Sequence, residues 1–393
     1  MYNLTAFSLI IKPSGSQCNL ACEYCYYLKK TRLFPNSSFR MTDETLEVLI
    51  RDYLESQPEG EVTFIWQGGE PTLLGIPFFE KAVVLQKKFK RSGQEVRNAL
   101  QTNGLLLNDD WGKFFSDQHF LAGISLDGPK DYHDTYRKTK TGEGTYSRAL
   151  AGLKILKKYN VETNILACVS TANVNDPLGV YRHFRDELGM CYLQFIPIVE
   201  RANASGNQKG ERLTNRSING IEFGNFLIAI FNEWVTNNVG KVFVQFFENC
   251  FGVYLGLPAA VCVFSEKCGA CLALEHTGDL FSCDHYVQPD ALLGNINEIS
   301  LNELVFSQAQ TVFGKDKKSL LPKKCLRCNV RFICNGDCPK NRIVSSAKGD
   351  YPISHLCDGY YKFFRHIDQP MKTMVSLYKS GRPISEIARV NIT

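Results

Sequence analysis

The chain has 393 residues, 44% of them hydrophobic and 22% charged, a composition that suits a soluble protein with one sizeable domain and a smaller companion. A formal charge of +5, with Lys and Arg scattered along the sequence, argues against nucleic-acid binding, and the basic run 315–324 reads as a solvated face. No stretch approaches a membrane span, and the opening Met1-Tyr2-Asn3-Leu4 lacks a basic n-region, so the chain is expected in a reducing cytosol, where the closely spaced motifs among its fifteen cysteines read as metal or cluster ligands.

Short apolar runs predict strands at 6–12, 62–66, 96–101, 121–126, 162–169 and 191–197. Amphipathic runs between and after them predict helices at 43–54, 77–91, 109–115, 146–159, 177–188 and 221–234, with Thr42 as a cap and Pro77 inside a helix start. Six strand-helix units in alternation imply a parallel sheet. Six exceeds a small open sheet and falls short of a closed eight-fold barrel, so the expectation is α/β, a partial (β/α)6 TIM-like barrel over 1–240.

The polar stretch 201–219 reads as a surface loop. From about 245 the alternation stops, and 271–276 and 280–286 read as a hairpin turning at Thr277-Gly278-Asp279. A small cysteine-rich domain is expected over 241–370 with a helical tail over 371–393, and helical periodicity that packs back on the body is read from Gly359 to the end. Phe246, Phe247 and Phe251 read as core.

In a parallel α/β sheet the functional loops follow the carboxyl ends of the strands. Here those loops carry Cys18-Asn19-Leu20-Ala21-Cys22-Glu23-Tyr24-Cys25, Gln67-Gly68-Gly69-Glu70-Pro71, Gln101-Thr102-Asn103-Gly104 and Ser125-Leu126-Asp127-Gly128-Pro129. Three thiolates in CxxxCxxC spacing bind three irons of a cubane and leave the fourth open to a chelating small molecule. A closed zinc site would lack its fourth ligand. The glycine pair, with no side-chain obstruction, can expose backbone polar groups to a bound amino acid moiety.

Downstream, Cys262, Cys268, Cys283, Cys325, Cys328, Cys334, Cys338 and Cys357 supply enough thiols for two closed four-cysteine sites, with Cys271 left over as a buried thiol. Cys168, Cys191 and Cys250 stand alone in apolar surroundings and read as core packing.

These motifs resemble the radical S-adenosylmethionine superfamily, whose signature is the CxxxCxxC loop with a GGEP-like second strand end, and the downstream array resembles the SPASM auxiliary-cluster region. The likeness is nearest to anaerobic sulfatase-maturating enzymes, through Trp66 to Leu73, Leu100 to Gly104, Ser125 to Pro129 with His133 and Arg137, and Ser282-Cys283-Asp284-His285-Tyr286.

The resemblance implies three 4Fe-4S clusters: one on Cys18, Cys22 and Cys25 that binds S-adenosylmethionine, one on Cys262, Cys268, Cys283 and Cys338, and one on Cys325, Cys328, Cys334 and Cys357. It implies cofactor contacts from Tyr24, Gly69, Ser125, Arg137 and Val199. Gly68 belongs to the same turn, and Glu70 is expected to meet the cofactor amine. Gln67 would face the substrate, and Asp284 would take a proton as a carbon radical becomes an aldehyde, with His285 packing beside it.

The implied substrate is an unfolded or nascent sulfatase polypeptide whose cysteine or serine becomes Cα-formylglycine, and the implied electron donor is a flavodoxin or ferredoxin. Modification of another ribosomal peptide is the alternative product chemistry. A non-catalytic metal or redox-sensing protein is disfavoured, since it would close every site with four ligands, and the first has three.

Overall fold

A computed structural model describes residues 6–203, 207 and 209–389. The six expected strands are present: β1 (Ser8–Lys12), β2 (Gly60–Trp66), β3 (Gln94–Thr102), β4 (Phe120–Ser125), β5 (Thr163–Val169) and β6 (Tyr192–Pro197). All pair in parallel with their sequence neighbours. Their centres are apolar and fully buried, as Leu9, Phe64, Leu100, Ile124 and Ile165 illustrate, the pattern of strands covered on both faces.

The expected boundary near 240 does not interrupt the sheet. β7 (Phe243–Val244) extends it beyond β6, and β8 (Cys271–Glu275) lies parallel to β1 in the register Ile10 to Ala273. β9 (Asp279–Phe281) and β10 (Leu292–Asn295) then continue antiparallel, so ten strands run in the order β10-β9-β8-β1-β2-β3-β4-β5-β6-β7. The hairpin predicted over 271–286 is therefore shorter in its second arm, and its first strand belongs to the main sheet. This fixes the cysteine-rich region through backbone hydrogen bonds to β1, the strand that leads into the cysteine loop.

The helices are α1 (Asp43–Ser56), α2 (Ile76–Phe89), α3 (Asp109–Asp117), α4 (Lys130–Tyr136), α5 (Tyr146–Lys158), α6 (Pro177–Arg182, continued by a π turn over 183–187), α7 (Gly220–Asn237), α8 (Gln245–Tyr254), α9 (Leu301–Val305), α10 (Gln308–Ser319), α11 (Lys323–Leu326), α12 (Arg331–Cys334) and α13 (Cys357–Lys379). Side chains open several of them: Thr42 and Asn108 accept from Thr45 N and Trp111 N, and Asn219 forms a capping box with Glu222. α4, α8, α9, α10, α11 and α12 were not anticipated.

The helical periodicity read from Gly359 is α13, but the boundary expected at 371 falls inside it, since Pro370 lies within a helix that runs unbroken through that point, and residues 390–393 lie outside the described part. α13 packs on α7, where Gly359 meets Gly220 so closely that a Cβ on Gly359 would lie 1.6 Å from the Gly220 carbonyl oxygen. Phe231, Trp234, Phe247 and Phe363 fill the seam. Phe246 and Phe247 are buried in the core, and the partly buried Phe251 packs against it beside Tyr378.

Candidate active site

The cysteine loop leaves β1 at Lys12 and is held from three sides. Ala21 N donates to Lys138 O at 2.8 Å and Glu23 N to Tyr136 O at 3.0 Å, tying the loop to the end of α4. Gly69 N donates to Gly15 O and Glu70 N to Gln17 O, both at 2.8 Å, tying it to the turn after β2. Asn103 Nδ2 donates to Asn19 Oδ1 at 2.7 Å from the loop after β3. The sequence reading of the glycine pair is thereby amended. A Cβ on Gly69 would lie 1.9 Å from the Gln17 carbonyl oxygen, so this position is glycine because two loops touch, and its amide serves that junction. Gly68, at φ +154°, lies against Gly15 in the same way.

Glu70 takes a different place from the expected one. It is 1% exposed, and its carboxylate accepts from Thr72 N (3.2 Å), Thr72 Oγ1 (2.6 Å), Thr102 Oγ1 (2.7 Å) and Asn103 N (2.8 Å). It caps the turn 71–74 and joins the loops after β2 and β3. Burial pushes its carboxyl up, against the pull of those donors.

Around the first two cysteines, burial pushes the thiols of Cys18 and Cys22 up to about 12. Burial also raises Cys25. Such thiols become thiolates only when a metal cation takes the place of the proton. Next to them, Tyr24 Oη donates to Asp127 Oδ2 at 2.5 Å, and Arg137 Nε donates to the same oxygen at 3.1 Å. Asp127 Oδ1 accepts from Cys168 N at 3.0 Å, and its carbonyl accepts from Asn173 Nδ2 at 2.7 Å. Burial opposes the Arg137 charge, yet Asp127 and Tyr24 hold the guanidinium firmly protonated. Ser125 Oγ accepts from Gln101 Nε2 at 2.9 Å. Gln67, half-buried, donates its backbone N–H to Ile11 O at 2.9 Å, and Val199 is buried after β6.

On the opposite wall, Asp284 follows β9 and is buried. Lys12, 1% exposed at the end of β1, forms an ion pair with it, and Tyr26 Oη donates to its other oxygen. Burial pushes this carboxyl up, but the Lys12 charge and the Tyr26 hydroxyl outweigh burial and hold it below the ordinary range. The Lys12 ammonium also stands 4.3 Å from the centre of the Tyr27 ring, and Tyr27 Oη donates to the buried Glu275. His285 packs at 5.4 Å from Tyr26, and burial pushes it down to about 3, so it is neutral.

Of the downstream cysteines, Cys325, Cys328, Cys334 and Cys357 line one cavity together with Val330, Arg331, Gly336, Ser354 and Tyr361. Cys283 faces Cys338 and Cys262, while Cys268 faces Cys262 and Cys338. Among the described residues no three His, Cys, Asp or Glu side chains close around a single ion, whereas a cluster takes each thiolate on a different iron and needs a wider spread. The donor chemistry fits iron-sulfur clusters in the sets that the resemblance implied. Cys271, on β8, lies beside Cys262 and Asp284. Cys250 is core as expected, but Cys191 is exposed and Cys168 sits against Asp127 and Tyr24 at the mouth, so neither is plain packing.

Sequence reasoning singled out Asp284, Tyr24 and Arg137 without the residues that join them. Lys12 carried a signal, a lone charge ending an apolar strand, and Asp127 lay inside a motif whose serine alone had been assigned.

Comparison with known proteins agrees with this geometry. The radical SAM superfamily model matches residues 13–183, and an iron-sulfur cluster-binding domain model matches residues 264–329. A serine-type anaerobic sulfatase-maturating enzyme of Bacteroides thetaiotaomicron is 41% identical over 93% of this chain and 90% of its own length. A cysteine-type anaerobic sulfatase-maturating enzyme of Clostridium perfringens is 32% identical over 91% of this chain and 95% of its own. The solved structure of native anSMEcpe with bound AdoMet and Cp18Cys peptide superposes with a TM-score of 0.85, at 31% identity, over 95% of this chain and all of that one. Streptococcus suis SuiB, at 13% identity and a TM-score of 0.61 over 90% of this chain and 77% of its own, shares the fold.

Proposed function

The chain belongs to the anaerobic sulfatase-maturating enzymes of the radical SAM superfamily, and from that membership we infer how its residues divide the work. The reaction is oxidation of an active-site cysteine, serine or both in a sulfatase polypeptide to Cα-formylglycine, with S-adenosylmethionine and 4Fe-4S clusters as cofactors. When bound, the cofactor supplies the radical that removes a hydrogen from the substrate Cβ.

Cys18, Cys22 and Cys25 would hold the cluster that leaves one iron open. Tyr24 and Arg137, locked to Asp127, with Ser125, Gly68, Gly69 and Val199, would bind S-adenosylmethionine. Glu70 serves this site by fixing the loops after β2 and β3. Gln67 would meet the peptide. Asp284 would take the proton released as the substrate radical becomes an aldehyde or thioaldehyde, with Lys12 and Tyr26 orienting its carboxylate. The observation that supports this assignment is the position of Asp284 between Lys12 of β1 and Tyr26, the residue that follows Cys25.

We place the enzyme in the cytosol, where a reducing milieu keeps eleven cluster thiols free of disulfides, with a flavodoxin or ferredoxin as electron donor. No described helix is long and apolar enough to cross a membrane.

The test is mass spectrometry of two peptides, one with a Cys-x-Pro-x-Arg segment and one with serine in its place, after anaerobic cluster reconstitution and incubation with S-adenosylmethionine and a strong reductant. A hydrazine-trapped aldehyde on either peptide supports the reading and shows which residue is accepted. Formation of 5′-deoxyadenosine with both peptides unchanged would assign the radical chemistry to another peptide.

A further inference from the structure

Residues 315–331 hold seven cations and one acid, an excess greater than the +5 of the whole chain. The sequence alone made part of this run a solvated face, but the structure gives it a shape and a neighbour. Lys267, Lys315, Lys318 and Arg331 line a surface cavity of about 440 Å³ beside Leu321 and Leu326. Its one acid, Glu266, is taken by Lys318 at 2.6 Å. Among the described residues, Lys267, Lys315 and Arg331 enter no ion pair.

Arg331 also lines the cavity of Cys325, Cys328, Cys334 and Cys357, so the basic surface and the four-cysteine site share a wall. Apolar side chains stand exposed in the same region: Leu326 is 51%, Phe332 53% and Tyr361 43% exposed, the last on the four-cysteine cavity itself. Large apolar groups beside unpaired charge of one sign are the anatomy of a transient protein interface, where the charges steer approach and the apolar groups seat the partner.

We propose that this face docks a small acidic one-electron carrier over the Cys325, Cys328, Cys334 and Cys357 site. The inference rests on reading those four thiols as cluster ligands and on the aldehyde-forming reaction. A one-electron carrier suits that reaction: each turnover takes up one electron to cleave the cofactor, and each substrate radical then releases one electron, with its proton going to Asp284, so a flavin or 2Fe-2S carrier gives the electron when reduced and accepts it when oxidised. RNA would be drawn by the same cations, but it gains nothing from a position over a redox site.

The test uses the reconstituted holoenzyme and oxidised flavodoxin as the probe, with binding measured by calorimetry across ionic strength. A Lys315→Glu/Lys318→Glu variant is compared with Lys87→Glu/Lys90→Glu at the C-terminal end of α2. The expected result is binding that weakens with salt and falls about tenfold or more in the first variant and less than about twofold in the second. Peptide oxidation driven by dithionite should be unchanged in both, and its loss in the wild type would count against the proposed function and not against the docking face. Equal weakening in both variants, binding insensitive to salt, or retention of an RNA oligonucleotide in preference to flavodoxin would overturn the proposal.

Discussion

Lys12 and Asp284 form a buried ion pair that joins the first strand of the barrel to the carboxylate after β9, with side chains 1% and 12% exposed. The pair ties the assigned base to stability. Asp284→Asn should abolish most aldehyde formation, by about 10²-fold or more, while 5′-deoxyadenosine formation persists. It should also destabilise the protein by about 3–5 kcal/mol, because Lys12 is left as an uncompensated buried charge. A Lys12→Met/Asp284→Asn double variant separates the two effects. It should regain most of the lost thermal midpoint and none of the aldehyde, as read by calorimetry and peptide mass spectrometry. Recovery of product in the double variant would remove Asp284 from the base role.

Asp127 gathers Tyr24, Arg137 and the backbone of Cys168 onto one carboxylate. An amide there keeps the shape and loses the charge that balances Arg137. Asp127→Asn should weaken S-adenosylmethionine binding by about tenfold, the worth of one charge-assisted contact, with cluster absorbance retained. Equilibrium dialysis of the anaerobic protein against labelled cofactor measures it, and wild-type affinity would show that Tyr24 and Arg137 do not need Asp127.

Much of this was legible before any coordinates. The six barrel strands follow from apolar runs because each is buried on both faces, and spacing singled out Cys18, Cys22 and Cys25, whereas the division of the eight downstream cysteines came from the resemblance. The rest depended on contacts between distant segments. No local pattern reports that β8 adds to β1, since Cys271–Glu275 reads as a hairpin strand whichever sheet receives it. The same applies to Glu70: a carboxylate after two glycines suggested a ligand contact, whereas Thr72, Thr102 and Asn103 occupy it. Lys12 and Asp127 matter through partners far away in sequence, which composition and periodicity do not reveal.

Gly69 gives a test of loop contact against cofactor contact. A Cβ there meets the Gln17 backbone, which cannot yield as a side chain would. Gly69→Ala should displace the cysteine loop from the turn after β2 and cost the cluster on Cys18, Cys22 and Cys25. The downstream cysteines lie on other elements, so iron content should fall by about one third and not to zero. Full iron content with weakened cofactor binding would instead assign Gly69 to the cofactor alone.

His133 sets an acid limit on stability. It is 1% exposed at the start of the Asp127 network, with Nε2 3.0 Å from Thr145 Oγ1 and Nδ1 accepting from Asp127 N at 3.4 Å. Thr145 Oγ1 donates onward to Arg137 O at 2.8 Å, so Nε2 carries the ring proton and the imidazole is neutral. Burial, and then the nearby Arg137 charge, pushes its pKa down to about 4. The unfolded chain binds this proton below about 6.5, which the native fold refuses until about 4. Its contribution is therefore whole above pH 6.5 and is lost as pH falls toward 4, by about 3 kcal/mol at most. His133→Gln retains one acceptor and one donor without the titration. The thermal midpoint of the anaerobic holoprotein should accordingly fall less steeply between pH 6.5 and 4 in the variant than in the wild type, with similar midpoints near pH 7.5. Parallel acid limbs in the two proteins would show that the loss arises elsewhere.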